Sequence, residues 1–291
     1  MQGKIIKAIA GFYYVNSEDV IYQCKARGVF RNNKINPLIG DRVEFEITHQ
    51  EDKEGNILKI YPRKNELIRP TVSNVDQAFV VFAVSEPEPN LNLLDRFLVV
   101  IDSKDIDIVI CFNKIDLGSQ EKTREYMEIY EKAGYQVLGT SAVEDFHLES
   151  VQKMMRGKTT VFAGPSGVGK SSIINILQEN TYMETGSVSE KIKRGKHTTR
   201  HANLIPIDKD SYVVDTPGFS SLQIADMNKE EVKEHFIEFA LYEPFCKFKG
   251  CSHINEPVCG VKEALKEKRI SRSRYDSYLH IYQEIENTRR Y

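Results

Sequence analysis

An eight-residue segment that fits the pattern G-x-x-x-x-G-K-[ST] at every position constrains this chain more than any other feature. The segment consists of Gly164, Pro165, Ser166, Gly167, Val168, Gly169, Lys170 and Ser171. Residues 158–163 before it predict a buried strand, and residues 172–177 after it predict a helix. Glycines let backbone N–H groups turn toward one centre, and the N-terminus of a helix attracts anions. The sequence therefore predicts a phosphate-binding loop between a strand and a helix.

The side chains at the end of this loop have predicted roles in holding a nucleotide. Lys170 is expected to reach the β- and γ-phosphates, and the hydroxyl of Ser171 is expected to be a Mg²⁺ ligand. Ser172 is included among the predicted nucleotide-binding residues. We also expect Lys170 to stabilise charge during catalysis.

A second nucleotide motif, Asp215-Thr216-Pro217-Gly218, follows an apolar run at 211–214. This pattern predicts a strand that ends at an aspartate, a usual place for a carboxylate associated with Mg²⁺. The backbone N–H of Gly218 is a candidate donor to the γ-phosphate. Taken alone, the tetrapeptide is also a good turn sequence.

A base-binding motif, Asn113-Lys114-Ile115-Asp116, follows a predicted strand at 106–112. The carboxylate of Asp116 can accept hydrogen bonds from guanine N1–H and the exocyclic amine together, whereas adenine offers no such pair of donors. Lys114 is expected to lie along the base, and Asn113 is expected to help hold the loop. The motif therefore favours GTP over ATP.

A shorter motif, Ser141-Ala142, follows a predicted strand at 135–138. By its position it is similar to the segment whose alanine N–H meets guanine O6. We therefore include Ser141 and Ala142 among the predicted base-binding residues.

The segment 191–201 is polar and basic, and it is predicted to be a switch loop. A threonine there would complete the Mg²⁺ shell; we prefer Thr199, with Thr198 as a competitor. The residue after Asp215-x-x-Gly218 is Phe219, which cannot orient water by hydrogen bonding.

His197 is the best local candidate for orienting the attacking water, because imidazole accepts a proton near neutral pH. His201 is a weaker alternative to it. The predicted catalytic residues are therefore His197, Lys170 and Thr199.

Three cysteines and a histidine near the C-terminus predict a metal site. Cys246, Cys251, His253 and Cys259 supply four soft ligands within a short span. This Cys₃His set is typical of structural zinc sites, in which four protein ligands leave no open position. We expect one structural Zn²⁺ per chain, and Mg²⁺ with GTP at the phosphate loop.

The N-terminal 65 residues predict five short strands, at 3–10, 11–15, 20–29, 41–47 and 55–60. Five strands in this length fit an OB-fold, a platform for RNA, although an SH3-like or other small barrel remains the alternative. The segment carries eleven Lys/Arg against eight Asp/Glu, a net charge of +3. A second basic run, 266–274, fits either an RNA contact or a polar helix face.

The whole chain has 291 residues and a net charge of −2, so a nucleic acid partner must bind at local patches. No signal peptide or membrane-spanning run is evident. We expect a cytoplasmic monomer in which the cysteines bind a metal rather than form disulfides.

Three segments are predicted: an RNA-binding barrel (1–65), a nucleotide domain (66–225) and a zinc module (226–291). Within them, 65–74 is predicted to be a linker, and 227–241 and 275–286 to be helical.

The order of the motifs resembles that of the circularly permuted GTPases, and most closely the RsgA (YjeQ/YloQ) family. The base-binding motif precedes the phosphate loop, and the segments 37–43 and 195–199 and the Cys/His cluster add to the resemblance. The resemblance implies an α/β P-loop GTPase domain, circularly permuted, between an N-terminal all-β OB-fold barrel and a C-terminal α-rich zinc-binding module. It further implies binding to the small ribosomal subunit and its 16S rRNA, late maturation of that subunit, and GTP hydrolysis to GDP.

Two other functions remain open. In one, the protein is a GTP-gated RNA-binding or anti-association factor whose hydrolysis is incidental, an alternative that Phe219 favours. In the other, it is a GTPase that acts on another structured RNA.

Overall fold

The structure, a computed structural model, describes residues 1–27, 30, 36–68, 70–144, 146–185, 202–219 and 227–288. For 179–185 and 216–219 only the backbone is described. The chain forms two compact units. The first comprises Met1–Gln77, Glu149–Phe162 and Ser171–Phe219, and the second comprises Ala78–Leu148, Ala163–Lys170 and Ser220–Tyr291.

The first unit begins with a closed five-stranded barrel. Its strands are β1 (Gln2–Ile9), β2 (Phe12–Ser17), β3 (Val20–Ala26), β4 (Arg42–His49) and β5 (Glu54–Ile60). Their order is β1-β2-β3-β5-β4, and β4 pairs with β1 to close the barrel. All pairs are antiparallel except β3 with β5. This order is that of an OB-like barrel, which confirms the predicted N-terminal fold.

The predicted linker at 65–74 forms a two-stranded hairpin of β6 (Glu66–Ile68) and β7 (Thr71–Ser73). Its anchor is the fully buried Asp41, whose carboxylate accepts from Arg63 Nε at 2.7 Å and from Ser73 Oγ at 2.6 Å. Gly40 has φ +93°, and a Cβ there would lie 2.0 Å from the carbonyl oxygen of Ser73. The hairpin is thus packed against the barrel rather than extended away from it.

A sheet of six strands forms the α/β part of the chain. Its strands are β8 (Gln77–Ala83), β9 (Asp107–Asn113), β10 (Gln136–Thr140), β11 (Thr159–Ala163), β12 (Asn203–Asp208) and β13 (Ser211–Phe219). The strand order is β10-β9-β8-β11-β13-β12. β9 and β10 are parallel, and the edge strand β12 is antiparallel to β13. Every residue of β8 and β11 is buried, as expected for strands covered on both faces.

Six helices complete the described structure. They are α1 (Leu91–Asp102), α2 (Gln120–Ala133), α3 (Leu148–Met155), α4 (Lys170–Thr185), α5 (Gly260–Lys266) and α6 (Arg272–Thr288). Side chains cap the first two: Asn90 accepts from the Leu93 N–H, and Ser119 accepts from the Lys122 N–H. Within the described residues, no helix combines the length and apolar character needed to span a bilayer.

The prediction of a helix over 227–241 was wrong. The region instead contains short 3₁₀ segments at Val232–His235, Ile237–Leu241 and Glu243–Phe245. Their apolar side chains join a buried cluster with those of α6, including Phe236, Phe239 and Tyr278. The predicted helix at 275–286 is confirmed, and its apolar stripe serves packing.

The side chain of Arg274 in α6 is fully buried within the second unit. Its Nη1 donates to Asp95 Oδ1 of α1 at 2.7 Å, and Nε and Nη2 donate to Glu238, each at 2.8 Å. The guanidinium also lies 4.6 Å from the ring centroid of Phe236. Burial opposes its charge, but Asp95 and Glu238 outweigh burial and raise the pKa of Arg274 well above its ordinary value.

This ion network corrects the prediction for one residue of the basic run 266–274, Arg274. Arg274 belongs to neither an RNA contact nor a polar helix face, because it is closed off from solvent. Instead it joins α6, α1 and the 3₁₀ segment that carries Glu238.

We predict that Arg274→Met lowers the free energy of unfolding by about 3–5 kcal/mol, because it leaves two buried carboxylates without their cation. The matched control is Arg272→Met in the same helix; Arg272 is exposed and pairs with the neighbouring Asp276, so its loss should cost less than about 1 kcal/mol. Urea unfolding of both variants measures the difference. Equal stabilities of the two variants would contradict the structural role of the network.

Candidate functional site

The predicted phosphate loop lies between β11, which ends at Ala163, and α4, which begins at Lys170. Three of its glycines, at 164, 167 and 169, have positive φ angles of 132°, 82° and 96°. Lys170 Nζ donates to the carbonyl oxygens of Gly164 at 2.8 Å and Pro165 at 2.6 Å. Burial lowers the pKa of Lys170. The lysine therefore folds back over the loop, with its ammonium group held where phosphate oxygens are expected.

Two glycines of the loop stand where no side chain fits. A Cβ at Gly164 would lie 2.1 Å from the carbonyl oxygen of Val81 in β8. A Cβ at Gly169 would lie 2.3 Å from Nδ2 of Asn113. Contacts below 3.0 Å force the neighbour to move, and in both cases the neighbour is part of the sheet or its edge. These glycines thus permit close approach of the loop to β8 and β9.

Asn113 connects the base-binding motif to the phosphate loop. It is the last residue of β9 and is buried. Its Nδ2 donates to the carbonyl oxygen of Val168 at 2.8 Å, and its Oδ1 accepts from Thr140 Oγ1 at 3.0 Å. The structure thus brings together the ends of two adjacent parallel strands and the loop, which is where α/β sheets bind ligands.

Lys114 and Asp116 lie in the turn that follows β9. Lys114 has φ +61°, and its Nζ donates to the carbonyl oxygen of Glu86 at 2.5 Å. Asp116 is exposed to solvent. The contact with Glu86 was not predicted, since the acceptor is a backbone atom that no residue type identifies.

Ser141 and Ala142 follow β10 directly. Ser141 is fully buried, and its Oγ accepts from the Glu144 N–H at 3.2 Å. The backbones of Ser141 and Phe146 bond to each other in both directions, at 3.4 and 3.0 Å. These bonds close a short loop beside the turn that carries Asp116.

The remaining predicted nucleotide ligands belong to the first unit or lie outside the described residues. Ser171 and Ser172 are exposed in the first turn of α4. Asp215 pairs with Asn203 inside β13. The prediction that this strand ends at the aspartate was wrong, because β13 continues to Phe219 and includes Gly218.

The predicted switch residues are not described by the structure. His197 and Thr199, together with the alternatives Thr198 and His201, lie outside the described residues.

Four side chains of the C-terminal region form a compact donor cluster. The Sγ atoms of Cys246, Cys251 and Cys259 and a ring nitrogen of His253 all lie within 4.8 Å of one another. His253 Nδ1 is 3.6 Å from Cys246 Sγ and 3.3 Å from Cys259 Sγ, and these two sulfurs are 3.9 Å apart. Tetrahedral zinc with 2.3 Å bonds places its sulfurs about 3.8 Å apart. The predicted set therefore could bind zinc.

Backbone N–H groups donate to two sulfurs of the cluster, while burial opposes ionisation of the third. Burial raises the pKa of Cys251 to about 12, so a thiolate there requires a neighbouring cation. The backbone N–H of Gly260 donates to Cys246 Sγ at 3.3 Å, and that of Lys262 donates to Cys259 Sγ at 3.5 Å. No sequence motif identified Glu243, whose Oε1 lies 3.9 Å from His253 Nε2.

The loop that carries His253 is held from two sides. Tyr275 Oη donates to the carbonyl oxygen of His253 at 2.6 Å. Glu256 accepts from the N–H groups of Ser252 at 2.7 Å and Ile254 at 3.0 Å. Burial of Glu256 opposes its ionisation, but these hydrogen bonds outweigh it and lower its pKa to about 2. The donor cluster is therefore preorganised by its own module.

A phosphate loop and a guanine-type base motif on one sheet, with the base motif first in the chain, define a circularly permuted P-loop GTPase. A family model described as RsgA GTPase matches residues 60–225, and one described as RsgA N-terminal domain matches residues 2–57. The chain belongs to the RsgA GTPase family.

Relatives and solved structures of the same kind match along the whole chain. "Small ribosomal subunit biogenesis GTPase RsgA" from Agathobacter rectalis is 52% identical over 302 residues and covers 100% of both chains. The protein of that name from Alkaliphilus metalliredigens is 52% identical over 290 residues, covering 100% of this chain and 99% of the relative.

Two crystal structures are similar in fold. "YloQ, a circularly permuted GTPase" has a TM-score of 0.84 and 41% identity, covering 98% of this chain and 95% of that one. YjeQ from Thermotoga maritima has a TM-score of 0.84 and 35% identity, covering 98% of each. Together with the closed barrel and the Cys/His cluster, these matches confirm the predicted fold class.

Proposed function

We propose that this protein binds GTP with Mg²⁺, hydrolyses it to GDP and phosphate, and assists late maturation of the small ribosomal subunit. The observation that carries the proposal is the contact of Asn113 with the phosphate loop, since it brings a guanine-specific motif and a phosphate site together. The names of the relatives, which place them in small-subunit biogenesis, support the choice of partner. The three-part division into 1–65, 66–225 and 226–291 is part of the same proposal.

The guanine base is recognised in this proposal by residues at the ends of β9 and β10. Asp116 accepts from N1–H and the exocyclic amine, and Lys114 lies along the ring. The Ala142 N–H donates to O6, and Ser141 holds that loop. Asn113 holds these loops in place, because its side-chain amide is hydrogen-bonded to Val168 and Thr140.

The phosphates are held by the loop 164–171, whose residues other than Pro165 offer backbone N–H groups, together with Ser172 and the N–H of Gly218. The hydroxyls of Ser171 and Thr199, with Asp215, would hold Mg²⁺, which would supply charge neutralisation at the phosphates. Lys170 leaves its present carbonyl acceptors to contact phosphate oxygens, and it stabilises the charge that develops in the transition state. His197 orients the attacking water, because Phe219 cannot.

The barrel is proposed to contact 16S rRNA. Three lysines stand beside partly exposed rings: Lys7 over Tyr14, Lys25 over Phe12 and Lys59 over Tyr61, with distances of 5.5, 5.3 and 5.1 Å to the centroids. A cation beside an accessible ring can contact a phosphate while the ring stacks on a base.

We also propose that the protein works as a cytoplasmic monomer. A dimer mass in sedimentation equilibrium would contradict the monomer.

The Cys/His cluster is proposed to hold one structural Zn²⁺, with Cys246, Cys251, His253 and Cys259 as its four ligands. A closed four-ligand site stabilises a small module by coupling metal binding to folding. Because the cluster lies within the second unit, its loss is expected to loosen the packing of α5 and α6.

We predict that the purified protein carries about one zinc per chain and that Cys259→Ser carries less than about half as much, with a lower unfolding temperature. Cys24→Ser is the matched control, because Cys24 is a buried barrel cysteine remote in sequence from the cluster. Atomic absorption and thermal unfolding give the two readouts. A full zinc content in Cys259→Ser would contradict the ligand assignment.

The proposed function predicts that purified small subunits accelerate GTP turnover at least tenfold, whereas large subunits do not, because the subunit orders the catalytic groups around the phosphates. Phosphate release is measured for the wild type and for His197→Ala. The variant is expected to bind GTP normally and to lose most of the stimulated rate.

Three outcomes of this experiment separate the alternatives. No stimulation despite tight GTP binding would remove the small subunit as partner and leave a GTPase of another structured RNA. Normal stimulation of His197→Ala would remove His197 from catalysis. Subunit binding that depends on GTP with no stimulated hydrolysis would favour the GTP-gated binding factor, the alternative that Phe219 supports.

A further inference from the structure

A groove of about 650 Å³ runs along α2 in the second unit, beside the base-binding motif. One wall is formed by residues of α2, and the other by the turn after β9 and the loop after β10. Its lining residues are Ile115, Asp116, Gly118, Gln120, Thr123, Arg124, Met127, Glu128, Glu131, Glu144 and Phe146. The proposed base recognition uses Asp116 among them.

The groove is too long for a guanine base alone. Its α2 wall extends from Gln120 to Glu131, which is about 16 Å along a helix that rises 1.5 Å per residue. A base bound to Asp116 would occupy one end. The full wall is as long as roughly five residues of extended peptide at about 3.3 Å per residue, so about three residues fit beside a bound base.

The floor and rim of the groove are partly apolar and open to solvent. Phe146 is 43% exposed although it is a large aromatic residue. Val143 in the same loop and Leu117 in the facing turn are also exposed, at 87% and 53%. Phe146 therefore offers an exposed apolar contact within the groove, and Val143 and Leu117 lie outside its lining.

The charge of the lining is strongly acidic. The lining contains four acidic residues and one basic residue, Arg124. The acidic residues are Asp116, Glu128, Glu131 and Glu144. Arg124 Nε is 2.8 Å from Glu128 Oε1, and Lys132 Nζ outside the lining is 3.4 Å from Glu128 Oε2, so Arg124 and Glu128 are already paired. Among the described residues no ion pair engages Glu131 or Glu144. A cationic partner is therefore favoured, and a nucleic acid backbone is disfavoured.

We propose that this groove binds a Lys/Arg-rich peptide segment with an apolar anchor, contributed by a protein of the small ribosomal subunit. The anchor packs on Phe146 and Met127, and the cations pair with Glu131 and Glu144. The inference rests on the proposed function for its partner and adds a protein contact to the proposed RNA contacts.

The position of the groove links its occupant to nucleotide binding. Phe146 and Glu144 are bonded through their backbones or N–H groups to Ser141. Ser141 precedes Ala142, the residue proposed to meet guanine O6. A peptide packed on Phe146 therefore contacts the same short loop that contacts the base.

The test uses the full-length protein with the photo-crosslinking residue p-benzoylphenylalanine in place of Gln120, which lines the groove. The labelled protein is bound to purified small subunits with a non-hydrolysable GTP analogue, irradiated and analysed by mass spectrometry. We expect a crosslink to a basic segment of a subunit protein. The same residue in place of Glu125, which does not line the groove, is expected to give at least fivefold less of that product.

Charge reversal supplies the second arm. Glu128→Lys with Glu131→Lys should reduce the Gln120 crosslink at least fivefold, while subunit-free GTP turnover stays within twofold of the wild type. The matched control is Glu121→Lys with Glu125→Lys, which makes the same charge change on α2 outside the groove and should leave the crosslink intact.

The outcomes separate the groove from the proposed function. A protein that cosediments with small subunits but crosslinks at Gln120 to RNA, or to nothing, overturns the groove proposal and leaves the proposed function standing. An undiminished crosslink after reversal of Glu128 and Glu131 also overturns it. A protein that does not cosediment with small subunits at all overturns both.

Discussion

The side-chain amide of Asn113 is the interaction on which the nucleotide site depends. It joins the end of β9 to the phosphate loop through Val168, 55 residues further along the chain, and to β10 through Thr140. Gly169 lies so close to this amide that a Cβ there has no room. The three segments are therefore fixed relative to one another before any nucleotide binds, which reduces the reorganisation that binding requires.

This contact explains how a permuted chain order is compatible with a GTPase site. The site requires the carboxyl ends of adjacent parallel strands and a helix N-terminus to meet, and it does not require a particular order along the chain. β9 and β10 precede β11 in sequence, and Asn113 still contacts the loop after β11. The packing of these elements therefore forms the geometry of a GTPase site, although the elements follow one another in a permuted order along the chain.

A second buried contact holds the zinc-type module to the same unit. Arg274 joins α6 to Asp95 of α1 and to Glu238, and α1 follows β8 in the chain. The unit that carries the base motif therefore also carries the Cys/His cluster. Since replacing a buried ion network by apolar packing can be neutral, its value here lies in fixing one arrangement of three elements.

Sequence patterns predicted much of this structure where the information is local. The strands of the barrel and sheet, the phosphate loop and the Cys₃His spacing are set by periodicity and by motifs within a few residues. Predictions failed where distant partners decide. In the sequence, Arg274 is one of several charges in a basic run. Its partner Asp95 is 179 residues away, so no local pattern identifies the pair.

Pairing partners decide strand ends in the same way. β13 continues past Asp215 although Pro217 and Gly218 suggest a turn. The 3₁₀ segments around Phe236 place aromatic rings in a buried cluster, and the spacing of apolar residues in the sequence does not predict this arrangement. Site residues in 186–201 and 220–226 lie outside the described residues and stay predictions.

The most direct test of the account is the base specificity of Asp116→Asn. Guanine donates N1–H and an amine to a carboxylate, whereas xanthine presents a carbonyl at the amine position and suits an amide. We expect affinity for a fluorescent GDP to fall roughly a hundredfold and affinity for the xanthosine analogue to rise above it, since a mismatched buried polar pair costs about 1–3 kcal/mol. An unchanged preference for GDP would show that the motif at 113–116 does not contact the base, and the account of this site would fail.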